Sequence, residues 1–311
     1  MNQRMELEQQ NQYADDEIDL RQLFATLWAG KWVVIAFTIL FAAGGVGFAL
    51  MKPDIYQASV LVAPANEEGG VKGLSGQLGG LASLAGINLG GGGSNQTVIA
   101  KEVLQSRAFL TEFIRRHQLV VPLKGVDGWN KEKQQWQYNR EIYNPETKEW
   151  LNDDEGESLA PTNWDLVKAF KESHLGVSEN KDTGMLTISI KSLSPVAARD
   201  WAGLLVADVN EHMRKEDIGT SEARIAYLES KLEETSITGM QQVFFELIES
   251  ETRTVMLANA QPEYVFKTVD PAVAPQEKSA PKRALIVVLA VMLGGMLGVF
   301  CVFVRASIKK R

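Results

Sequence analysis

Two long apolar runs stand out in the hydropathy pattern of the chain. Residues 32–51 and residues 284–304 contain no charged side chain. At a rise of about 1.5 Å per residue, a helix of either length crosses a hydrocarbon layer of roughly 30 Å. Lipid leaves the backbone no other hydrogen-bond partner, so a helix is the expected conformation. The sequence therefore predicts a transmembrane helix near each end, with a buried core helix as the alternative for either run.

A cleaved signal peptide is a second alternative for the first run. Residues 1–31 precede it and contain six Asp and Glu side chains, whereas a secretory signal begins with a short basic leader. No small-x-small cleavage site follows Leu50. The first run is therefore predicted to be a retained anchor.

The longest helical pattern begins at Ser194 and Pro195, an N-cap residue followed by the proline that fits the first helical turn. Apolar residues then recur at helical spacing for about 40 residues, although Gly219 weakens the pattern. A second amphipathic helix follows and ends at Pro262. A 40-residue helix would span roughly 60 Å. We therefore predict an extended antiparallel helical hairpin over about residues 194–261.

Shorter patterns predict a mixed α/β base. The expected strands are residues 56–62, 185–190 and 266–269, and the expected helices are residues 97–114 and 164–173. Glycine-rich residues 69–94 are expected to be flexible, and residues 122–163 are polar and turn-rich. Since the first and last strands adjoin the two anchors, their pairing would hold the anchors together.

The predicted fold class is α+β, with two transmembrane helices flanking a mixed α/β base that carries a long helical hairpin. The predicted segments are an N-terminal segment 1–31, helix 32–51, a soluble domain 52–283 (base 52–193 and 262–275, hairpin 194–261), helix 284–304 and a tail 305–311. The tail holds four basic residues and no acid, which is typical of a cytoplasmic end. Both termini are assigned to the cytoplasm and the soluble domain to the other side.

Charge and candidate chemistry exclude several classes of protein. Between residues 53 and 283 there are 24 Lys and Arg against 33 Asp and Glu, so nucleic acid is not an expected partner. Cys301 lies inside the second apolar run, which leaves no disulfide or cysteine metal site in the soluble domain. The three histidines, His117, His174 and His212, lack ligand spacing.

Catalytic and nucleotide-binding motifs are also missing from the sequence. The glycine-rich segment contains no Gly-Lys-Ser/Thr, which a phosphate loop requires. No G-x-S-x-G nucleophile motif occurs either. The sequence therefore predicts a protein without a cofactor, a metal ion or a catalytic site.

Tryptophans are concentrated in the turn-rich segment. Trp129, Trp136 and Trp150 are candidate sugar contacts, because aromatic faces stack on sugar rings. The alternative is that these rings pack the base of the domain, since aromatic side chains contribute much of the burial in protein cores.

Small residues in the apolar runs predict helix pairing. Gly294 and Gly298 form a G-x-x-x-G motif with Gly295 beside them, and glycine lets two helix backbones approach closely. Ala43 and Gly47 offer a weaker face on the first run. The alternative is that glycine is simply frequent in membrane helices.

The C-terminal third carries a longer pattern, a proline-rich segment followed by a glycine-rich membrane helix. Its residues are Pro271, Pro275, Ser279, Pro281, Lys282, Gly294, Gly295, Met296 and Gly298. This pattern resembles the signature of the Wzz-type polysaccharide co-polymerases, the O-antigen chain-length determinants. The sequence departs from it in the spacing of the first two prolines and at Val299. The resemblance extends over most of the chain, and residues 69–94 and 120–163 diverge most.

The resemblance implies a function that composition alone does not give. Members of this family form ring-like homo-oligomers in the bacterial inner membrane, with both termini in the cytoplasm and the main domain in the periplasm. They act with a membrane O-antigen polymerase on a lipid-linked polysaccharide and set the number of repeats. They are regulators of lipopolysaccharide O-antigen length and not enzymes.

Two other functions stay open at the level of sequence. Some relatives serve exopolysaccharide export and signal with a cytoplasmic tyrosine kinase, which can follow the second anchor. Here the sequence ends seven residues after Val304, so such a kinase would be a separate protein. The third possibility is a membrane-anchored glycan hydrolase or transferase, for which no carboxylate pair can be named.

Overall fold

The structure is a computed structural model that describes residues 20–65 and 92–309. Contacts between Cα atoms divide the chain into two units. The first comprises the chain up to Pro53 together with the chain from Ala280 onward, and the second comprises Asp54–Ser279.

In chain order the helices are α1 (Leu20–Ala29), α2 (Lys31–Met51), α3 (Gly92–Val103), α4 (Arg107–Arg116), α5 (Val120–Lys124), α6 (Asn163–Ala169), α7 (Pro195–Glu234), α8 (Thr238–Ala260) and α9 (Arg283–Lys309). The strands are β1 (Tyr56–Pro64), β2 (Val126–Asn130), β3 (Gln135–Tyr138), β4 (Tyr143–Asn144), β5 (Glu149–Trp150), β6 (Leu175–Glu179), β7 (Leu186–Ser192) and β8 (Phe266–Asp270).

The first unit contains the two helices that are long and apolar enough to cross a membrane, Lys31–Met51 and Arg283–Ile308. These helices, α2 and α9, pack against each other. Large apolar side chains on their outer faces are exposed, among them Trp32, Leu40, Leu289 and Met296. A core helix of a soluble protein would bury such faces, so the core-helix alternative does not fit the structure.

The second unit is built on a four-stranded sheet in the order β6-β7-β1-β8, and every neighbouring pair is antiparallel. Strand β1 alternates buried and exposed residues, which gives it one face on the core. Its pairing with β7 places Tyr56 opposite Ser192, and its pairing with β8 places Val62 opposite Thr268. The predicted pairing of the first and last strands is therefore confirmed.

The long helix α7 covers this sheet with its first half. Trp201, Leu205 and Val209 are buried there against the strands and against α4 and α6. The side-chain oxygen of Ser194 accepts a hydrogen bond from the backbone N–H of Ala197, which caps the helix start as the sequence predicts. The helix runs for 40 residues and continues through Gly219.

The second half of α7 forms the predicted hairpin with α8. Residues 235–237 connect the two helices, and α8 runs for 23 residues. An ion pair between Arg224 and Glu251 joins the helices at 3.2 Å. Together with the two membrane-spanning helices and the antiparallel sheet, this hairpin confirms the predicted α+β fold class.

Some local predictions were wrong. The single helix expected over residues 97–114 is broken between α3 and α4, because the side chain of Ser106 caps a new helix by accepting from the backbone N–H of Phe109. In contrast, the helix expected over residues 164–173 is confirmed, with α-helical turns up to Ala169 and a π-helical turn, Phe170–His174, at its end. Of the expected flexible segment 69–94, residues up to 91 lie outside the described part, and the rest begins α3.

Candidate functional site

The glycine motif of α9 faces α2. A Cβ atom built on Gly298 would lie 2.8 Å from Cα of Val34, and one on Gly294 would lie 2.7 Å from Cβ of Phe41. Real Cβ atoms do not approach so closely, so glycine is required at both positions for the two backbones to meet. The partner of the G-x-x-x-G face is thus the other membrane helix of the same chain.

Small residues on α2 contribute to the same contact, although not the pair singled out in the sequence. A Cβ atom on Gly45 would lie 2.6 Å from Cβ of Ala290. In contrast, Ala43 and Gly47 are exposed, and a Cβ on Gly47 would meet nothing within 4 Å. On α9, Met296 is exposed and points away from α2.

The proline-rich segment after β8 returns to the start of the second unit. The backbone N–H and the hydroxyl of Ser279 both donate to the carbonyl oxygen of Ile55, at 2.8 and 3.1 Å. Beside them, Lys278 Nζ lies 3.0 Å from Asp54 Oδ1. The first and last residues of this unit are therefore held together.

The other proline and lysine residues of the family pattern lie nearer the surface. Pro271 is exposed, and Pro275 and Pro281 are half-buried. Lys282 is exposed, and its carbonyl oxygen accepts a hydrogen bond from the backbone N–H of Ile286.

A buried amide holds β8 to the long helix. The side-chain oxygen of Asn210 accepts from the backbone N–H groups of Val265 and Phe266, at 2.9 and 2.8 Å. Its side-chain nitrogen donates to the carbonyl of Phe266 at 2.8 Å. Asn210 is buried. This role could not be predicted from the sequence, because a polar residue on an amphipathic helix is usually a solvent-exposed one.

A second polar cluster lies two turns further along α7. Asp217 Oδ2 accepts from the hydroxyl of Tyr264 at 2.8 Å and from Gln96 Nε2 at 2.6 Å. Burial raises the pKa of the Tyr264 hydroxyl to about 12, and the neighbouring Asp217 contributes to the rise. The phenol therefore stays protonated and donates at any physiological pH. The root of the hairpin is fixed to α3 and to the segment before β8.

The hairpin carries an apolar groove of about 770 Å³ between α7 and α8. Its apolar lining comes from Gly219, Ala223, Tyr227, Leu228 and Leu247, and its charged lining comes from Lys215, Glu216, Arg224 and Glu251. The ring of Tyr227 is 63% exposed. Other apolar side chains on α8 are also exposed, namely Met240, Val243, Phe245, Met256 and Leu257. An exposed apolar surface of this extent on one helix pair is typical of a protein interface.

The candidate sugar-contact tryptophans occur in two small β-hairpins. Trp129 and Trp136 face each other across β2 and β3 with ring centroids 4.9 Å apart, and Trp136 stacks on Trp201 of α7. Trp150, in β5, packs edge-on against Tyr143 at 5.2 Å. All three candidate rings are half-buried. The structure brings the first two together and places the third in the neighbouring hairpin.

The histidines make ordinary structural contacts. His117 Nε2 lies 3.0 Å from Asp208 Oδ2, and His212 packs edge-on against Phe109. Burial lowers the pKa of His174 from its ordinary value of 6.5, and its Nδ1–H donates to the carbonyl of Lys191 at 2.7 Å. Within residues 20–65 and 92–309 no group of three or more His, Cys, Asp or Glu could hold a metal ion.

Comparison with known proteins identifies two sequence families in the chain. Residues 16–117 match the family described as "Wzz: Chain length determinant protein". Residues 237–307 match the family described as "G-rich domain on putative tyrosine kinase". No curated protein sequence matches the chain. The first match takes in α2 and β1, and the second takes in α8, β8 and most of α9.

Solved structures of polysaccharide co-polymerases are among those similar to this chain. A full-length bacterial polysaccharide co-polymerase is 15% identical with a TM-score of 0.39, and the similarity covers 95% of this chain and 99% of that one. A fragment of WzzB, a polysaccharide co-polymerase from Salmonella Typhimurium, is 10% identical with a TM-score of 0.30, covering 73% of this chain and all of the fragment. Assignment of the family rests on the sequence match and on the proline-rich and glycine residues placed above. The resemblance to the Wzz-type polysaccharide co-polymerases is confirmed for residues 16–117, which match the chain length determinant family.

Proposed function

We propose that this chain sets the length of lipopolysaccharide O-antigen, or of a related surface polysaccharide, without catalysing a reaction itself. Chain length determination is the function of the family, and the match over residues 16–117 is the observation that carries the proposal. The polymer would be extended by a separate membrane polymerase acting on a lipid-linked polysaccharide. This chain would supply the assembly on which that polymerase works.

The proposed assembly is a ring-like homo-oligomer in the bacterial inner membrane. Both termini would lie in the cytoplasm, in keeping with the basic tail, and the unit Asp54–Ser279 in the periplasm. The exposed apolar side chains of the hairpin support the oligomer, because a neighbouring copy would remove them from water. In the proposed oligomer, the groove of one copy would meet exposed apolar side chains on α8 of the next, and such a head-to-tail contact closes into a ring when the rotation fits.

A regulator of this kind works through the geometry of its parts. The membrane helices are tied by backbone contacts at Gly294 and Gly298, and the hairpin is tied to the sheet by Asn210. Close approach of two helix backbones and fully hydrogen-bonded buried polar groups both favour one rigid arrangement of the helices. We therefore attribute the length of the polysaccharide product to the dimensions and the lifetime of the assembly.

The test is a gel of lipopolysaccharide from the source strain, from a strain with the gene deleted and from the deletion strain carrying the gene on a plasmid. A clustered length distribution should become broad and short-biased on deletion and should return with the plasmid. A ladder that does not change on deletion would refute the proposal.

The match to the G-rich domain of tyrosine-kinase proteins favours a second candidate. In that case the chain would act in exopolysaccharide export and would signal with a separate cytoplasmic tyrosine kinase. Loss of secreted polymer on deletion, with an unchanged lipopolysaccharide ladder, would support this function over the first.

The sugar-contact role of Trp129, Trp136 and Trp150 stays a proposal. Trp129 and Trp150 each contact one of the aromatic rings described above and Trp136 contacts two, which accounts for their burial without a ligand. The part of each ring that stays accessible is what a sugar could contact.

A further inference from the structure

A small cavity of about 230 Å³ opens on the hairpin formed by β4 and β5. It is lined by Arg140, Tyr143, Asn144, Pro145, Glu146 and Leu151. The segment that builds it is the turn-rich part of the chain, in which the tryptophans are concentrated. Neither the membrane helices nor the hairpin of α7 and α8 contributes a residue to the lining.

The lining has two chemically different sides. Tyr143, Pro145 and Leu151 give an apolar floor, whereas Arg140 and Glu146 give a donor and an acceptor at the rim. A pyranose ring also has an apolar side and a polar side, because its C–H face is apolar and its hydroxyl groups both donate and accept hydrogen bonds. The two rim charges cancel, which suits an uncharged sugar.

The rim pair is free to turn toward a ligand. Arg140 Nη2 and Glu146 Oε1 lie 4.0 Å apart, and the two side chains are 76% and 80% exposed. An ion pair at that distance in water contributes little to stability. Both groups can therefore exchange their contact with each other for hydrogen bonds to hydroxyl groups.

The backbone below the rim is held firmly. The side-chain oxygen of Asn144 accepts from the backbone N–H of Glu146 at 2.9 Å, and the N–H of Leu151 donates to the carbonyl of Ile142 at 2.9 Å. Tyr143 is buried between Trp150 and Tyr138. A site with a fixed floor binds with less loss of conformational entropy than a mobile loop.

We propose that this cavity binds one neutral pyranose residue of the polysaccharide whose length the chain regulates. The inference rests on the proposed function for the identity of the polymer. Its volume lies below the roughly 300 Å³ of the smallest typical ligand pockets, so it accommodates one sugar ring and not an oligosaccharide. Tyr138, exposed beside Tyr143, offers an aromatic surface to the next residue of the glycan.

The experiment measures saturation-transfer NMR signals from sugar to purified full-length chain in detergent. The probes are the polysaccharide released by mild acid from lipopolysaccharide of the source strain and its constituent monosaccharides. The test variant is Arg140→Ala combined with Glu146→Ala. The control is Arg253→Ala combined with Glu249→Ala, a pair on α8 with side chains 71% and 72% exposed.

We expect transfer to ring protons in wild type and control, and apparent affinity reduced about tenfold in the test variant. If only the polysaccharide gives a signal, the site recognises the polymer. If the monosaccharides also give a signal, the site binds a single sugar unit at any position in the polymer. Equal signals in the wild type, the test variant and the control variant, or no signal in the wild type, would refute the proposed sugar site. The lipopolysaccharide gel of the deletion strain tests the proposed function independently of the cavity. A missing sugar site would therefore leave the result of that gel unchanged.

Discussion

Gly298 of α9 lies so close to Val34 of α2 that a Cβ atom on the glycine would stand 2.8 Å from the valine Cα. The G-x-x-x-G motif predicted a helix contact but did not identify the partner helix. The contact joins the two membrane helices of one chain. Any effect of these glycines on assembly therefore acts first through the internal helix pair.

Leucine at both Gly294 and Gly298 should separate α2 from α9, because neither side chain fits against the facing backbone. We expect the purified chain in detergent to lose thermal stability and the complemented deletion strain to give a shifted glycan ladder. Gly47→Leu is the matched control, since that glycine is exposed and has nothing within 4 Å. A double variant with wild-type stability and a wild-type ladder would contradict the contact.

Asn210→Ala should lower the free energy of unfolding of the second unit by about 2–4 kcal/mol, because it leaves buried backbone groups of Val265 and Phe266 without partners. Urea unfolding of the full-length chain in detergent, followed by tryptophan fluorescence, measures the change. Asn259→Ala removes one exposed hydrogen bond to Val255 and should change stability by no more than about 0.5 kcal/mol. Equal effects of the two substitutions would show that the Asn210 contacts do not stabilise the fold.

Acidification should destabilise the second unit through His174. Burial lowers the pKa of this histidine below 6.5 in the folded chain, so the unfolded chain binds the proton more readily. Stability from this group is complete above pH 6.5 and is lost as the pH falls from there through the folded-state pKa.

Urea unfolding at a series of pH values between 7.5 and 5 measures this dependence. His174→Asn keeps a donor for the carbonyl of Lys191 but cannot titrate, so its stability should fall less steeply over that range. If the variant and the wild type show the same slope, His174 is not the group responsible.

Leu247→Glu should weaken the proposed oligomer, because it replaces an apolar side chain of the hairpin groove with a charged one. Chemical crosslinking of membranes should then give fewer high-order bands than wild type. Val98→Glu is the control, as Val98 is an exposed apolar residue on α3 outside the hairpin. Identical crosslinking patterns for all three proteins would exclude the groove as the interface.

Elements with strong local signals could be predicted from the sequence. The Ser194–Pro195 helix start and the long run of apolar residues at helical spacing predicted α7 correctly. The length of the two charge-free runs predicted both membrane helices. The hairpins of β2–β3 and β4–β5 were missed, because their strands have only two to five residues, too few to show a reliable period.

Contacts between distant residues were also beyond sequence reasoning. Asp54 and Lys278 are paired at 3.0 Å although 224 residues separate them. The amide of Asn210 meets backbone groups of β8, and a backbone partner has no sequence signature. The cavity at Arg140 and Glu146 depends on a turn whose geometry is set by the side chain of Asn144. Local patterns predict elements, whereas such contacts depend on how those elements pack.

The most direct test of length regulation without catalysis measures two quantities together in strains with and without this chain. One is the total incorporation of radiolabelled sugar into the polysaccharide, and the other is its length distribution on a gel. A regulator redistributes repeats among chains, so we predict a clustered distribution only when the chain is present, with similar total incorporation in both strains. Incorporation that falls to background without the chain, or a distribution that is the same in both strains, would contradict the account.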